Sequence, residues 1–483
     1  MLVCSHCEYQ RQLTNNALGS FDRRSRSFSR SSGSSRRIFA VPYNGVLFAS
    51  PNMVDSSEPD VRGRARRRIA RRLLPFIFLL YLISMIDRFN VSFAALRMKA
   101  DLGFSDKVYG FGASAFFITY ALLEIPGAIV AERWSVRKWI TRIMVSWGLI
   151  TTLTAFIHSA SEFYVARVLL GAAEASFFPA IIVYLTRWFI LRERARAIAA
   201  FYSASSVSAF VGSAVAAWLL PVHWMGIPGW RWLFFVEGIP AVVVGAVTLF
   251  YLPDWPSEAA WLSESERSAV IRAFAAECNA NPKYERLGFR DACKDSRLLL
   301  IVTGYFLYIL AFVTNTLWMP TFLQRLSGLP AATVARFVMI PASAGALGLL
   351  LNSWSSDRSG EHKWHTVIPI FCGGCCYLVI NTAAGHFRIV VLLFTLYYFF
   401  STAAFASLWA MPTTFLSKTA AAAAFGLINC IGQTGGFFGP SIVGYLNDTT
   451  GSIHRSVVFI ACSLLASAVT LSFLTVHFPD SSG

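Results

Sequence analysis

The sequence predicts an all-α membrane protein with twelve transmembrane helices in two six-helix bundles. Three observations carry this expectation. Of 483 residues, 55% are hydrophobic and only 14% charged, where a soluble domain carries roughly 25% charged residues. Apolar runs recur along the chain, each close to the roughly 20 residues that a membrane helix needs. A short charged loop occurs twice: residues 132–138 read E-R-W-S-V-R-K and residues 357–363 read D-R-S-G-E-H-K. Each copy lies between two apolar stretches, at matching points of halves of nearly equal length. An internal repeat in a membrane protein points to an alternating-access transporter.

The elements follow in order from the polar gaps. Residues 1–72 lack a stretch able to form a core, with Ser and Arg dominating 20–37. Helices are expected over about 73–95, 109–131, 138–157, 163–187, 198–220 and 231–252. A polar linker, 253–297, follows, with a short amphipathic helix near 263–277 that Ser263 would cap and Glu266 would close as a capping box. The second six are expected over about 298–323, 333–354, 365–384, 388–411, 420–446 and 456–476, with a tail at 477–483. The bundles are thus 73–252 and 298–476. The runs are too long and too evenly apolar for barrel strands, and backbone groups in lipid must be satisfied within their own segment.

The net charge of +16 could suggest nucleic acid, but its location argues against it. Residues 1–72 hold fourteen Arg, no Lys and five acids. Arg62, Arg64, Arg66, Arg67, Arg68, Arg71 and Arg72 abut the first apolar run, and further bases sit in alternate loops (Arg133, Arg137 and Lys138; Arg187, Arg192, Arg194 and Arg196). This bias places both termini in the cytoplasm of a multi-pass cytoplasmic-membrane protein. Three readings of residues 1–72 stand: a start codon placed upstream of Met53, an organelle transit peptide, and a genuine disordered tail. Nine Cys form no disulfide framework, and neither Cys372-Gly-Gly-Cys375 nor Cys4-Ser-His-Cys7 has a second ligand pair, so no metal and no cofactor is expected. No metalloprotease, phosphate-loop or nucleophile-elbow motif occurs, so no enzyme is expected.

The repeated loop resembles the major facilitator superfamily pattern G-x-x-x-D-R-x-G-x-R-R. Ala128, Glu132 and Ser135 replace the first Gly, the Asp and the second Gly, while Arg133, Arg137 and Lys138 match. The second copy keeps Asp357, Arg358 and Gly360. Tyr81 to Asn90 (Y-L-I-S-M-I-D-R-F-N), Arg167 to Pro179, Gly229 to Pro240 and Asn429 to Pro440 resemble one branch, the anion:cation symporter family, and most of all its bacterial tartrate and sugar-acid transporters. The resemblance covers about 70–478 and implies the two-bundle fold. It also implies substrate and proton sites at the Asp87-Arg88 pair and Glu174, and a substrate role for Asn429.

The residues point the same way. Asp87, Arg88, Glu124, Arg167, Glu174 and Glu237 lie well inside apolar runs of the first half. A charge at the bilayer centre costs roughly 2.5–3.5 kcal/mol on insertion scales, so function is the default reading. Arg88 and Arg167 are the expected substrate residues, because a guanidinium can hold a carboxylate in a two-pronged fork. Asp87 and Glu174 are the expected proton carriers, paired across helices as Arg88 with Glu174 and Asp87 with Arg167. Structural charge pairing is the competing reading. Asn429 and Gln433 are four apart and share a helix face, fit for substrate hydroxyls. Glu124 stands between a structural and a transport role, and Glu237 is expected to pair with loop bases. Tyr81, Asn315 and Trp318 read as packing. Helix 5, with Ser205, Ala209, Gly212, Ser213 and Ala216, offers a small-residue face for close helix approach. Glu132, Arg133, Arg137, Asp357 and Arg358 form the expected gating loops, with Glu132 and Asp357 latching the outward-open state. The expected function is proton-coupled uptake of a small organic anion, such as a sugar acid or dicarboxylate. The alternatives are an anion exchanger or exporter of the same fold, and a transport-inactive sensor. The expected partners are that anion, the proton and the lipid bilayer.

Overall fold

The computed structural model describes residues 58–280, 296–383, 385–414 and 418–475. The readings of Met53, of Cys4 and Cys7 and of the Ser/Arg-rich stretch lie outside the described residues, as does 281–295 of the linker. The first half runs α1 (Glu58–Leu102), α2 (Asp106–Arg133), α3 (Val136–Thr154), α4 (Ala160–Glu174), α5 (Phe177–Trp188), α6 (Leu191–Tyr202), α7 (Ala204–Leu219) and α8 (Gly229–Tyr251). The linker carries α9 (Glu264–Ala280). The second half runs α10 (Ser296–Ser327), α11 (Ala331–Ser359), α12 (Trp364–Ile380), α13 (Phe387–Ala410), α14 (Lys418–Thr450) and α15 (His454–Ser472). Helices α4 with α5, and α6 with α7, each make one crossing, so the described residues make twelve crossings. Ten of the crossings stand out by length and apolarity alone. The other two are α3, whose first two turns carry Arg137, Lys138 and Arg142, and α14. Large apolar side chains such as Leu122, Trp218 and Phe250 face outward, as expected of surfaces that meet lipid rather than water.

Helix α1 starts at Glu58, well before the first apolar run. The reason is packing: Ala65 and Ile69 are buried, so the arginine cluster expected in an unstructured lead lies on ordered helical turns. The fourth crossing breaks after Glu174, where Ser176 has φ 70°. A left-handed conformation at a residue other than glycine costs of order 1–3 kcal/mol. The surroundings hold it there: the Trp139 indole N–H donates to Ser176 Oγ at 3.0 Å, and Gly127 leaves room for that side chain. The linker helix forms with reciprocal bonds at its start, Ser263 N–H to Glu266 Oε2 at 2.9 Å and Glu266 N–H to Ser263 Oγ at 3.2 Å. The Ser263 N–H holds the Glu266 carboxyl below its usual range.

Within the first half α3 packs on α8 and α2 on α4; within the second, α11 and α12 pack on α13. The halves meet through α1 with α10, α2 with α14 and α7 with α11. Gly212 of the small-residue face expected on helix 5 lies against Ile86 of α1, in the same half, while α7 also packs on α11 of the other half. Helices α2 and α14 come closest at Gly110 and Gly444. A Cβ on Gly110 would stand 2.5 Å from the Pro440 carbonyl oxygen, and one on Gly444 2.5 Å from that of Asp106.

That close approach lies at the face away from the linker, where a polar clamp joins the halves. Arg325, near the end of α10, donates from Nη1 to Asp106 Oδ2 at 2.6 Å and from Nη2 to Oδ1 at 2.7 Å. Lys99 of α1 pairs with the same carboxylate. Asp448 of α14 accepts the backbone N–H groups of Asp106 and Lys107, both at 2.9 Å, and so caps the start of α2 from the other half. Asp106 should therefore weight the equilibrium toward closure of this face. Removing one partner of a buried charge pair costs about 2–5 kcal/mol, so Asp106→Asn should open the face by at least roughly tenfold. Spin labels at Lys107 and Ser327, with the native cysteines replaced, should show a longer distance component in the variant. An unchanged distance distribution would rule the clamp out.

Candidate transport site between the halves

Arg88 lies on α1, sixteen residues beyond Arg72, the last of the arginine cluster. Its Nε and Nη2 both donate to Glu174 Oε1, at 3.0 and 2.5 Å. Ser84, one turn earlier, adds its hydroxyl to the same oxygen at 2.9 Å. Glu174 is 1% exposed and its Oε2 has no hydrogen-bond partner among the described residues. All three donors thus converge on one carboxylate oxygen, and the Arg88 fork does not span both. The guanidinium lies over the Tyr120 ring at 4.7 Å and the Phe116 ring at 5.6 Å, contacts that favour a cation in an apolar site.

Asp87, the adjacent residue, points elsewhere. Asn90 donates to its Oδ1 at 3.0 Å and Thr151 of α3 to its Oδ2 at 2.7 Å. The expected pairing of Arg88 with Glu174 is present. The expected pairing of Asp87 with Arg167 is not, because the Asp87 oxygens are taken by Asn90 and Thr151. Arg167 instead donates from Nη2 to the Ala113 carbonyl at 3.3 Å and lies over the other reach of Phe116, at 5.0 Å. It is 2% exposed. Glu237 of α8 does not face loop bases; it is buried beside Asn90, near Asp87. The reason is its place in α8, whose inner face packs against α1 and α3 rather than the loops.

Asn429 of α14 bridges the halves. Its amide donates to both oxygens of Glu124 on α2, each at 3.0 Å. Gln433, one turn on, is half-buried and makes no hydrogen bond among the described residues. Tyrosines frame the space between: Tyr81 packs on Phe201 at 4.3 Å, and Tyr202 stacks on Phe405 of the other half at 5.5 Å. Asn315 and Trp318 have packing partners, the Tyr377 hydroxyl at 2.8 Å and the Pro440 carbonyl at 3.3 Å. Among the described residues no cluster could hold a metal ion. Ser84, Asn90, Tyr120 and Thr151 were not singled out from the sequence. Ser84 and Asn90 carried a usable signal, since they lie four residues from Arg88 and three from Asp87, at contact spacing on a helix.

The repeated loops are built differently in the two halves. At the first, Asp254 beyond α8 anchors the start of α3: Ser135 Oγ donates to it at 2.5 Å and the Arg137 backbone N–H at 3.0 Å. Arg137 and Arg187 each place a guanidinium nitrogen 3.7 Å from Asp254, and Arg187 also donates to the Glu132 carbonyl at 3.2 Å. At the second, Glu361 accepts the N–H groups of Trp364 and His365 at 2.7 and 3.1 Å. Arg133 and Asp357 are exposed, and Arg358 lies over the Trp354 ring at 5.6 Å.

Intramembrane charges meeting at a two-half seam are what an alternating-access carrier requires, and the family comparison agrees. The profile described as Major Facilitator Superfamily matches residues 77–440. The chain belongs to the major facilitator superfamily. Within the superfamily it is 38% identical over 429 residues to a protein of Agrobacterium vitis named "Putative tartrate transporter", covering 88% of this chain and 98% of that one. It is 33% identical over 404 residues to the "Quinolone resistance transporter" of Acinetobacter baumannii, covering 83% and 92%. Among solved structures it matches that of a D-xylose-proton symporter with a TM-score of 0.66 at 14% identity, over 83% of this chain and 97% of that one. The chain is a multi-pass membrane transporter with this fold.

Proposed function

We propose that the protein carries a small organic anion, a sugar acid or dicarboxylate, into the cell together with protons. One observation carries the reading: Arg88 is already held by a carboxylate, that of Glu174. A substrate carboxylate must displace Glu174 to reach the same fork. A displaced, buried carboxylate left ionised would be very costly, so it takes a proton. The empty carrier then holds Arg88 with ionised Glu174, and the loaded carrier holds Arg88 with substrate and protonated Glu174. Both are charge-compensated. The half-filled states are not, which links anion movement to proton movement.

Asp87, with Asn90 and Thr151 poised to serve either protonation state, supplies a second proton. The need is energetic. The membrane potential opposes anion entry by about 2.3 kcal/mol per charge per 100 mV, so a monoanion gains from the potential only with more than one proton. Arg167 stabilises the ionised forms from behind Phe116. Asn429 and Gln433 meet substrate hydroxyls after Asn429 leaves Glu124. The described state is the one closed at the face away from the linker, and Glu132 and Asp357 latch the opposite state. The arginine-rich start of α1 supports an inner-membrane location with cytoplasmic termini.

The second reading is export, which the name of the Acinetobacter baumannii relative supports. Purified protein in liposomes separates the two. Tartrate or a sugar acid should accumulate inside only when an inward proton gradient is imposed, and should exchange without one. Gradient-independent uptake, or expulsion of quinolones with no carboxylate accumulation, would contradict the proposal.

A further inference from the structure

The arginines at the head of α1 stand apart from the transport site and line a second one. Arg64, Arg67, Arg68, Arg71 and Arg72 recur at helical spacing along one flank of α1. With Trp261 and Glu266 of the linker they enclose a cleft of about 470 Å³. Its back wall is fixed. The Arg72 guanidinium lies over the Tyr251 ring at 5.0 Å and the Trp261 ring at 5.2 Å, Trp261 stacks on Trp188 at 5.8 Å, and the Tyr251 hydroxyl donates to the Arg72 carbonyl at 3.2 Å. Its one acid is committed: Glu266 pairs with Arg68 at 3.2 Å and closes the cap of α9. Glu266 is the one acid among the residues that line the cleft. Arg67 and Arg71 are exposed and make no ion pair or hydrogen bond among the described residues.

We propose that this cleft binds a phosphate-bearing anion, the headgroup of an anionic phospholipid. Guanidinium groups recognise phosphate through paired hydrogen bonds, and a basic pocket at the end of a membrane helix is suited to such headgroups. The cleft is wider than a bare phosphate and leaves room for the glycerol. Phe250, next to Tyr251 on the outer wall of α8, is 86% exposed and offers an acyl chain an apolar surface below the headgroup. The site is independent of what the carrier transports.

The test uses the full chain in nanodiscs of phosphatidylcholine, with and without phosphatidylglycerol, reading the unfolding midpoint and the phosphatidylglycerol retained in native mass spectrometry. Phosphatidylglycerol should raise the midpoint of the wild type. Arg67→Gln with Arg71→Gln should weaken apparent binding roughly thirtyfold and remove most of the rise. It should leave the midpoint in neutral lipid unchanged, because neither side chain has a partner to lose among the described residues. Arg133→Gln with Lys138→Gln, exposed bases at the end of α2 and the start of α3 outside the cleft, should keep the rise. An equal rise in wild type and cleft variant, or equal loss in both variants, would overturn the site. Inorganic phosphate added to neutral discs separates the sources. A phosphate-induced rise that the cleft variant abolishes, without any effect of phosphatidylglycerol, would overturn the lipid and assign the cleft to a soluble phosphate.

Discussion

Arg88→Lys should keep the protein folded and lose most of its affinity for the transported carboxylate. Lysine preserves the charge opposite Glu174, so the buried pair is not broken and the unfolding midpoint should stay near that of the wild type. What goes is the planar fork, whose Nε and Nη2 now reach one carboxylate oxygen at 3.0 and 2.5 Å. A lysine ammonium is a point donor and cannot hold a carboxylate in a two-pronged plane. It would also lose the stacked contact with Tyr120, 4.7 Å away. A hydrogen bond to a charged group is worth about 1.5–3 kcal/mol, so one lost prong should weaken binding roughly tenfold to a hundredfold. Substrate titration followed by tryptophan fluorescence, beside a thermal melt of the same sample, reads both quantities. Wild-type affinity in the lysine variant would mean that Arg88 is a structural partner of Glu174 and nothing more.

How much of this was legible in the sequence depended on distance along the chain. Twelve apolar runs and six misplaced charges are local features, and lipid makes both conspicuous. The linker cap was legible for the same reason, since Ser263 and Glu266 are three residues apart. The pairing of Arg88 with Glu174 was foreseeable because both are too costly to leave alone in lipid. The partners of Asp87 were harder to foresee. Thr151 is an unremarkable hydroxyl in an apolar run, and only the packing of both α3 and α1 on α8 brings it to the carboxylate.

The clamp was not legible at all. Asp106, Arg325 and Asp448 sit at helix ends in separate halves, where charged residues are common and no local rule chooses among them. The break after Glu174 was hidden too, because the run 163–187 continues without a polar gap and the strained residue is a serine rather than a glycine. The repeated loop was visible, but the acids that hold its helix starts, Asp254 and Glu361, were not. A helix start takes whichever carboxylate the fold brings to its free N–H groups.

The central claim is that Glu174 exchanges an arginine partner for a proton each time substrate binds. Glu174→Gln tests it most directly, because the amide mimics the protonated acid and cannot release its proton. The same purified protein should be assayed in liposomes for substrate counterflow and for proton-driven accumulation. Counterflow should persist, since exchange needs no net proton movement. Accumulation against a gradient should fall to background, and the pH dependence of uptake should flatten. A stranded Arg88 would instead cost several kcal/mol, and the melt shows whether the fold survives. Proton-driven accumulation at the wild-type level would contradict the claim outright, and loss of both activities together with unfolding would leave the pair a structural one.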